Sequence, residues 1–350
     1  MSVKIKAVSK TLPDYSRRTD EIIPFLDIWL HGQEDRFIRK VKKIFENAMV
    51  DRRYSIMSPE EVFSDLSFEE RNDIYSREVV KLGTKCLKSA IDKAGWQNED
   101  IDYLITVSCT GIMIPSLDAY LINILGLRQD VVRLPVTEMG CVAGVSGMIY
   151  AKNFLKANPG KRAAVIAVES PTATFQINDY SMANIVSAAI FGDGAACVLM
   201  SSHPDDEGPE MIDEQMYHFY ESEGLMGFKP TNTGLQMVLD IGVPDAIEKH
   251  FPAVIHPFLA RNGMDIKDMD YLIFHPGGKK IIDLVETLFK DLGKDIEETK
   301  AVLRLYGNMS SATVLYVLER IMDSRPEPGT TGLMLSFGPG FTAQRVLLQW

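Results

Sequence analysis

The chain has 350 residues, 46% of them hydrophobic and 24% charged, so it is long enough for two domains or for one large duplicated unit. Its 37 basic and 48 acidic residues give a formal net charge of −11, which excludes a general nucleic-acid binder. The alternating start at residues 2–12 predicts a strand and not a signal peptide, and no apolar run is long enough to cross a bilayer. We therefore expect a cytoplasmic protein with no membrane span and no nucleic-acid partner.

A basic segment lies near the N-terminus. Residues 36–53 contain seven Lys or Arg against two acidic residues, within a chain that is acidic as a whole. Such a run is either a solvated helix face or the place where a phosphorylated nucleotide is attracted to the protein. Charge by itself leaves both interpretations open.

Helix and strand patterns alternate after this segment. Residues 58–61 (SPEE) have the N-cap, proline and acids of a helix start, and residues 77–94 form an amphipathic pattern. Apolar runs predict buried strands at 103–107, 163–168 and 195–200. This alternation indicates α/β layering. Residues 202–208 resemble a link, so we divide the chain into an N-terminal half, 1–205, and a C-terminal half, 206–350.

The two halves share landmarks in the same order. Residues 100–105 (DIDYLI) return as 268–273 (DMDYLI), a shift of 168 positions. A shift of 167 places Gly140-Cys141 on Gly307-Asn308, and it places the strand pattern 165–168 on 332–335. Three landmarks at a nearly constant shift predict an internal duplication.

Three residues at the ends of predicted elements form a candidate catalytic set. Cys141 lies at a predicted helix start, where the helix dipole and free N–H groups favour a thiolate, although a small buried hydrophobe is the alternative. The duplication predicts that Asn308 approaches Cys141 from a matching helix start. His275 ends a predicted strand and is followed by Pro276-Gly277-Gly278. A nucleophile, an imidazole and a carboxamide in such positions favour catalysis. The four cysteines show no CxxC pairing, so no metal site is expected.

Five segments carry a resemblance to a known family. They are Gly140-Cys141, FGDGAA at 191–196, HPGG at 275–278, GNMSSA at 307–312 and FGPG at 337–340. In this order they resemble the type III polyketide synthases, the chalcone-synthase-like family of the thiolase superfamily, in its bacterial form. The resemblance implies an α/β fold, a thiolase-like duplicated αβαβα five-layered sandwich, assembled as a homodimer.

The resemblance also implies a reaction. Cys141 would take an acyl group from a starter acyl-CoA, with His275 as its ion-pair partner. His275 and Asn308 would donate hydrogen bonds to the thioester oxygen of malonyl-CoA as carbon dioxide leaves. Repeated condensations and a cyclisation would follow, and we expect a fatty or short acyl starter and a resorcinol- or pyrone-type product. CoA thioesters would be the substrates, without a further cofactor.

Further positions are assigned by the same resemblance. Met237 stands where plant members carry a second gatekeeping phenylalanine, and Asn47 replaces a lysine of the family. The implied CoA-binding residues are Lys40, Lys43 and Arg53. The implied cavity and gate residues are Phe191, Cys109, Ile114, Thr174, Met237, Ser310 and Pro339.

Two alternative functions fit much of the same pattern. A ketoacyl synthase III-like enzyme would share the Cys-His-Asn set but would perform a single condensation with a carrier protein. A non-catalytic thiolase-fold partner subunit would keep the fold without the chemistry. The segments GNMSSA and FGPG disfavour the first alternative, and the presence of all three catalytic residue types disfavours the second.

Overall fold

The structure is a computed structural model that describes residues 2–289 and 293–350. Within these residues, an N-terminal strand is present as predicted, and the buried strands predicted at 103–107, 163–168 and 195–200 form with at most one further residue at each end. The strands are β1 (Lys4–Thr11), β2 (Tyr15–Arg18), β3 (Arg52–Ser55), β4 (Tyr103–Val107), β5 (Val132–Val136), β6 (Arg162–Glu169), β7 (Gly194–Ser201), β8 (Glu210–His218), β9 (Met226–Thr231), β10 (Gly234–Leu239), β11 (Tyr271–Phe274), β12 (Thr331–Gly338) and β13 (Thr342–Gln349).

Serine side chains cap the starts of two helices near the predicted positions. The side chain of Ser67 accepts a hydrogen bond from Glu70 N, so the predicted helix at 77–94 begins earlier, at Phe68, and it ends before the left-handed Gly95. Ser58 caps a helix of only four residues in the same way. The helices are α1 (Thr19–Trp29), α2 (Asp35–Glu46), α3 (Pro59–Val62), α4 (Phe68–Ala94), α5 (Leu117–Leu125), α6 (Ala143–Ala157), α7 (Met182–Ile190), α8 (Val243–Ala260), α9 (Lys279–Phe289), α10 (Glu297–Tyr306) and α11 (Thr313–Asp323).

Nine strands form a hydrogen-bonded sheet that consists of two groups. The strand order is β11-β12-β13-β8-β1-β7-β6-β4-β5, and the two groups meet at β8 and β1, which are joined by a single residue pair, Lys4 with Glu210. Five strands of the first half therefore lie on one side of this junction and four strands of the second half on the other. In both groups the parallel strands lie at the outer end, where β4 pairs with β5 and β6, and β11 pairs with β12.

Helices cover both faces of each strand group. The central core is formed by α6 and α11 with one face of the strands of both halves. The other face of β4, β6 and β7 packs on α4 and α5, and the other face of β11, β12 and β13 packs on α8, α9 and α10. The order helix, sheet, helix, sheet, helix confirms the predicted five-layered α/β sandwich.

The duplication is visible in a repeated hydrogen-bond pattern. Asp102 N donates to Arg162 O at 2.9 Å, and Arg162 N donates back to Asp102 Oδ2 at 2.9 Å. In the second half, Asp270 N donates to Thr331 O at 3.0 Å, and Thr331 N donates back to Asp270 Oδ2 at 2.8 Å. The aspartates of the repeated DxDYLI segment therefore join the same two strands in each half, which is the reason for their recurrence.

The structure corrects one detail of the repeat. Helices α6 and α11 begin at residues 143 and 313, each directly after a 3-10 turn, Gly140–Val142 and Ser310–Ala312. These turns place Cys141 opposite Ser311, so the predicted match between Cys141 and Asn308 is wrong by three positions. Asn308 instead precedes the second turn. A Cβ at Gly144 would lie 2.3 Å from Ser311 O, so this glycine allows the two turns to approach each other closely.

Asp193 of the FGDG segment connects three parts of the first half. Its carboxylate accepts hydrogen bonds from Ile56 N at 2.8 Å, from Thr172 N at 3.0 Å and from Thr172 Oγ1. Asp193 is fully buried, and its own N–H donates to Tyr54 O at 2.8 Å. The residue therefore holds the end of β3 and the 171–174 turn against the start of β7.

Replacing Asp193 with asparagine is expected to destabilise the protein. The amide NH₂ would face at least one of the N–H groups that now donate to the carboxylate, which costs about 1–3 kcal/mol in the free energy of unfolding. Chemical denaturation measures this difference, with Asp205→Asn as the control because Asp205 is exposed. Equal losses of stability in the two variants would contradict the role assigned to the Asp193 carboxylate.

Candidate active site

Cys141 lies at the entrance to the central helix α6. It occupies the 3-10 turn Gly140–Val142, and 7% of its surface is exposed. Gly140 has a φ of +54°, and a Cβ there would lie 2.5 Å from Cδ of Pro339. The backbone ahead of the thiol therefore requires glycine. The Cys141 carbonyl accepts a hydrogen bond from Ser336 Oγ at 2.7 Å, so the turn is held by the FGPG segment and by the residue before it.

His275 follows directly after β11. Its backbone N–H donates to Leu335 O at 2.9 Å, which continues the parallel pairing of β11 with β12. The side chain is 5% exposed, and neither ring nitrogen has a hydrogen-bond partner within the described part of the chain. An imidazole buried in this way costs free energy unless another group completes its hydrogen bonds. The ring nitrogens of such an imidazole are available to form hydrogen bonds with a substrate.

The side chain of Asn308 is oriented by its own loop. Its Oδ1 accepts hydrogen bonds from Ser310 N at 2.8 Å and from Thr313 Oγ1 at 3.2 Å. These bonds identify the amide oxygen and leave Nδ2 as the donor, which reaches Gly277 O at 3.3 Å. Because Gly277 lies two residues after His275, the amide donor and the imidazole belong to neighbouring loops.

Ser310 connects the thiol to these loops. Its Oγ lies 3.7 Å from Cys141 Sγ and 3.5 Å from Cys109 Sγ. Its φ is +49°, a conformation that serine rarely adopts, and the bond from Ser310 N to Asn308 holds it there. Contacts through Ser310, Asn308 and Gly277 thus join the thiol to the loop of the imidazole. The structure therefore brings the three sequence-predicted catalytic residues into one buried region.

Burial shifts the pKa values of the thiol and the imidazole in opposite directions. Loss of solvent raises the pKa of Cys141 to about 12, and the same cause lowers the pKa of His275 to about 3. Each shift favours the neutral form. Burial therefore keeps both groups neutral at pH 7, and no hydrogen bond joins the imidazole to the thiol within the described residues.

One acidic residue of this region is missing from the sequence-based prediction. Glu169 ends β6, is fully buried, and accepts hydrogen bonds from Thr110 Oγ1 at 2.9 Å, from Cys109 N at 3.1 Å and from Ser311 Oγ. Burial raises its pKa, although these bonds favour the carboxylate. A usable signal was present, because polar residues that follow neighbouring parallel strands, here β4 and β6, meet at one sheet edge.

A cavity that is open to solvent borders Phe191, and none of the three candidate catalytic residues lines it. It encloses about 790 Å³ including the space that is open to solvent, and most of its wall is apolar. The predicted gate residues Phe191 and Met237 both line it, as does Thr174. The backbone of Phe191 forms an isolated parallel bridge with Asn308. One wall of this entrance cavity is therefore continuous with the candidate active site.

A second and smaller cavity shares a wall residue with the entrance cavity. It encloses about 200 Å³ and is lined by Tyr75, Thr110, Thr174 and Leu235, among others. Thr174 lines both cavities, and its hydroxyl donates to Pro171 O at 2.8 Å. The size of the side chain at position 174 therefore affects whether the two cavities are connected.

The structure separates the predicted CoA-binding residues into two groups. Arg53 is buried and lines the entrance cavity. Lys40 and Lys43 lie exposed on α2 and do not line it, although Phe45 of the same helix does. The basic segment therefore places one arginine inside the cavity and two lysines on the outer surface of the helix that borders it.

Four of the seven predicted cavity and gate residues line neither of the two cavities. Ile114 is 93% exposed and lines neither cavity, because it projects from the loop between β4 and α5. Pro339 packs on Gly140 and supports the turn that carries the thiol, so it too is not a wall of either cavity. Cys109 and Ser310 contact the thiol region directly and do not line the entrance cavity.

Comparison with known proteins decides the family. The profile described as "Chalcone and stilbene synthases, N-terminal domain" matches residues 3–204, and "Chalcone and stilbene synthases, C-terminal domain" matches residues 213–350. The chain belongs to the chalcone and stilbene synthase family. The resemblance to the type III polyketide synthases that the five sequence segments indicate is thus confirmed.

Individual relatives agree over nearly the whole chain. The chain is 34% identical to 1,3,6,8-tetrahydroxynaphthalene synthase of Streptomyces peucetius subsp. caesius, covering 99% of this chain and 93% of the relative. It is 32% identical to phloroglucinol synthase of Pseudomonas fluorescens, covering 92% of each. The crystal structure of the bacterial type III polyketide synthase 1,3,6,8-tetrahydroxynaphthalene synthase from Streptomyces coelicolor superposes with a TM-score of 0.93 at 30% identity, covering 99% of each chain.

Across residues 2–289 and 293–350, no group of three or more His, Cys, Asp or Glu side chains is arranged to hold a metal ion. In the same ranges, none of the helices combines the length and the apolar character that a membrane span needs. The expectation that the reaction uses no metal stays a prediction.

Replacing His275 with glutamine is expected to slow alkylation of Cys141 by iodoacetamide at least about tenfold at pH 7. Without a proton acceptor, burial alone governs the thiol and keeps it neutral. The rate of single-site labelling across pH 5–9, followed by intact-protein mass, measures the effect. Replacement of the partly exposed His203 by glutamine is the matched control. An unchanged pH profile in the His275 variant would show that the imidazole does not take the thiol proton.

Proposed function

We propose that this protein is a type III polyketide synthase that condenses malonyl-CoA repeatedly onto an acyl group held on Cys141. The observation that carries this proposal is the joint burial of a thiol, an imidazole with two unpartnered nitrogens and an amide whose donor is oriented by its loop. Membership of the chalcone and stilbene synthase family supports it. The thiol, the imidazole and the amide would act in both loading and condensation.

Loading begins with attack of the Cys141 sulfur on the thioester carbonyl of the starter acyl-CoA. The thiol proton passes to His275, a C–S bond to the enzyme forms, and the C–S bond to CoA breaks. The departing CoA sulfur takes the proton back. The products are the acylated Cys141 and free CoA thiol, with His275 again neutral.

Decarboxylation of malonyl-CoA follows at the same place. The bond between the carboxylate carbon and the methylene carbon breaks, carbon dioxide leaves, and the electron pair moves toward the thioester oxygen as an enolate. A neutral His275 N–H and Asn308 Nδ2 can both donate to this oxygen. His275 can do so because burial keeps its pKa low and the ring neutral. The enolate carbon then attacks the acyl-Cys141 carbonyl, a C–C bond forms, the C–S bond to Cys141 breaks, and Cys141 leaves as the thiolate.

The entrance cavity supports a role in selecting substrates. Its apolar wall suits an acyl chain, and Phe191 and Met237 would form the gate between the cavity and the catalytic residues. Thr174, Cys109 and Ser310 would shape the inner space, and Lys40, Lys43 and Arg53 would attract CoA. We propose a fatty or short acyl starter and a resorcinol- or pyrone-type product, formed from CoA thioesters alone, without a metal or a further cofactor.

The test is product analysis with purified protein. Malonyl-CoA is supplied with a panel of starters that includes acetyl-, hexanoyl- and dodecanoyl-CoA, and also without a starter, in the absence of carrier protein. Mass spectrometry is expected to show triketide or tetraketide products. Products that stop after one condensation, or that need a carrier protein, would favour the ketoacyl synthase III-like alternative. Failure to form any acyl-enzyme would favour a non-catalytic partner subunit.

We also propose that the protein is a homodimer. Exposed apolar side chains lie on the first half around the loop between β4 and α5 and on α5 and β5, and a contiguous exposed apolar surface often marks a protein–protein interface. They are Ile112, Ile114, Tyr120, Ile124 and Val132. A second copy of the chain would cover them. The predicted place of Ile114 beside a cavity would then be in the cavity of the partner subunit.

Replacing Ile114 with lysine is expected to weaken this dimer, because an ammonium group would be buried against apolar residues of the partner. Sedimentation velocity at a series of protein concentrations measures the shift toward monomer. Ile28→Lys is the matched control, since Ile28 is exposed on α1 outside this surface. A wild-type protein that sediments as a monomer at micromolar concentration would disprove the dimer.

A further inference from the structure

One serine hydroxyl in the wall of the entrance cavity has no hydrogen-bond partner. Ser187 lies on α7, lines the cavity and is 7% exposed. Within residues 2–289 and 293–350, its Oγ neither donates a hydrogen bond nor accepts one. A serine inside a helix commonly donates to the carbonyl four residues earlier, and Ser187 does not. Because a buried hydroxyl without a partner is unfavourable, its presence needs an explanation.

The other uncharged polar side chains of this wall already have partners within the protein or are open to water. Those with hydrogen bonds inside the protein are Ser16, Ser55, Thr172, Thr174 and Asn184. Tyr15 also lines the cavity, but it is 42% exposed, so water can bond its hydroxyl. Among the described residues, Ser187 is therefore the buried uncharged side chain of this wall that is free to bond a ligand.

Ser187 lies one helical turn before the gate residue Phe191. The backbone N–H of Phe191 donates to Ser187 O at 2.9 Å, and the backbone of Phe191 forms the parallel bridge with Asn308. A serine side chain has a single torsion between heavy atoms, with three staggered positions, so its hydroxyl can change direction without a change in the helix. The free hydroxyl therefore belongs to the part of the wall that adjoins the candidate active site.

The chemistry of the hydroxyl limits the ligand group that fits it. Most of the cavity wall is apolar, and Phe175 and Met237 line it together with Ser187. A saturated acyl chain would fill this space and leave the hydroxyl without a partner. A neutral carbonyl oxygen on the chain would accept its hydrogen bond. A site built to bond such a group discriminates against the analogue that lacks it.

We propose that Ser187 is a specificity-determining residue that donates a hydrogen bond to a keto oxygen of the acyl chain, so that the protein binds 3-oxoacyl-CoA more tightly than saturated acyl-CoA. The source of this ligand rests on the proposed function. When the enolate carbon replaces the Cys141 sulfur, the former acyl carbonyl becomes the 3-keto group of a new acyl-CoA. This product must bind again and reload Cys141 before the next extension. Tighter binding of the 3-oxo chain therefore favours extension over release.

Titration of the Cys141→Ala variant tests this preference without turnover. Isothermal titration is expected to show about tenfold tighter binding of 3-oxohexanoyl-CoA than of hexanoyl-CoA, and equal binding of the two once Ser187→Ala is added. Ser170→Ala in the same background is the matched control, because Ser170 is also buried with an unpartnered Oγ but lines neither cavity. Equal affinities with Ser187 present, or a preference that survives Ser187→Ala, would overturn the proposal.

Chemical unfolding separates recognition from structure. Ser187→Ala removes a hydroxyl that has no partner and introduces a better helix former, so the variant is expected to be at least as stable as wild type. A loss of stability, together with equally weakened binding of both acyl-CoA ligands, would show that the hydroxyl has a structural role and would overturn the proposal.

Product ratios give a second readout. With hexanoyl-CoA and malonyl-CoA, Ser187→Ala is expected to release several times more single-condensation product relative to triketide and longer products, while the rate of the first condensation stays within about twofold of wild type. An unchanged product ratio would overturn the role in extension.

The two proposals fail in different ways. Titration requires no turnover, so a protein that makes no polyketide but prefers the 3-oxo chain would disprove the proposed function and support the role of Ser187. Conversely, a wild-type enzyme that makes polyketides while the two acyl-CoA ligands bind equally would leave the proposed function intact and disprove the role of Ser187.

Discussion

The variant Cys141→Ala is expected to lose acyl loading and polyketide formation by a factor of about 10⁴ to 10⁶, the range found when a covalent nucleophile is removed. Malonyl-CoA decarboxylation is expected to continue, because His275 and Asn308 remain to stabilise the enolate. Intact-protein mass spectrometry after incubation with acyl-CoA measures loading, and detection of acetyl-CoA measures decarboxylation. The two readouts separate the nucleophile from the enolate-stabilising groups.

Two other cysteines provide controls for this experiment. Cys197→Ala removes a buried thiol on β7 that faces the outer helix α4, so it is expected to keep full loading. Cys109→Ala is the stricter control, because the Cys109 sulfur lies 3.5 Å from the same Ser310 Oγ that contacts Cys141. It is expected to remain acylated on Cys141. Acylation that persists in Cys141→Ala and disappears in Cys109→Ala would assign the nucleophile to Cys109 instead.

The variant Asn308→Asp is expected to lower the rate of malonyl-CoA decarboxylation about 10²- to 10³-fold, since it removes one donor to the developing oxyanion. The substitution keeps the shape of the side chain. A carboxylate can still accept the bonds from Ser310 N and Thr313 Oγ1, so the loop geometry is retained. It cannot donate, and its charge repels the enolate. The loss is therefore expected in kcat, with a smaller change in KM.

The matched control is Asn158→Asp, where the amide Nδ2 donates only to the helix carbonyl of Phe154 at 2.8 Å. Its decarboxylation rate is expected to equal that of wild type. Thr313→Val provides an intermediate test, because it removes one of the two bonds that orient the Asn308 amide. A rate for Asn308→Asp within threefold of wild type would contradict the role of its Nδ2 as a donor.

Local patterns in the sequence predicted a large part of the fold. The strand at 103–107 forms as predicted, because five successive residues, all but Thr106 of them apolar, are buried where β4 lies between two parallel neighbours. The repeat of DxDYLI revealed the duplication, since each aspartate makes the same two backbone bonds in its own half. Helix α4 was predicted too short because its N-cap, Ser67, precedes the amphipathic pattern.

The candidate site was predicted in part. Cys141, His275 and Asn308 could be selected because each follows a recognisable element end and carries a reactive side chain. The match of Cys141 with Asn308 failed by three positions, because the halves differ in length between the strand and the central helix. Glu169 was missed, because its partners lie near residues 110 and 311, and only the parallel pairing of β4 with β6 brings the first of these to it.

The sequence by itself determined the layered α/β fold, the duplication and the reactive residue types, because these depend on periodicity, caps and short segments that are read along the chain. Only the tertiary structure decided which groups share a site and how burial shifts the pKa values of their side chains. The pKa shifts of Cys141 and His275 depend on the loss of solvent, which arises only when residues far apart in sequence are packed together. The acidic net charge of the chain excludes a general polyanion binder, and only the structure shows that the basic segment at 36–53 places one of its residues, Arg53, in the wall of the entrance cavity.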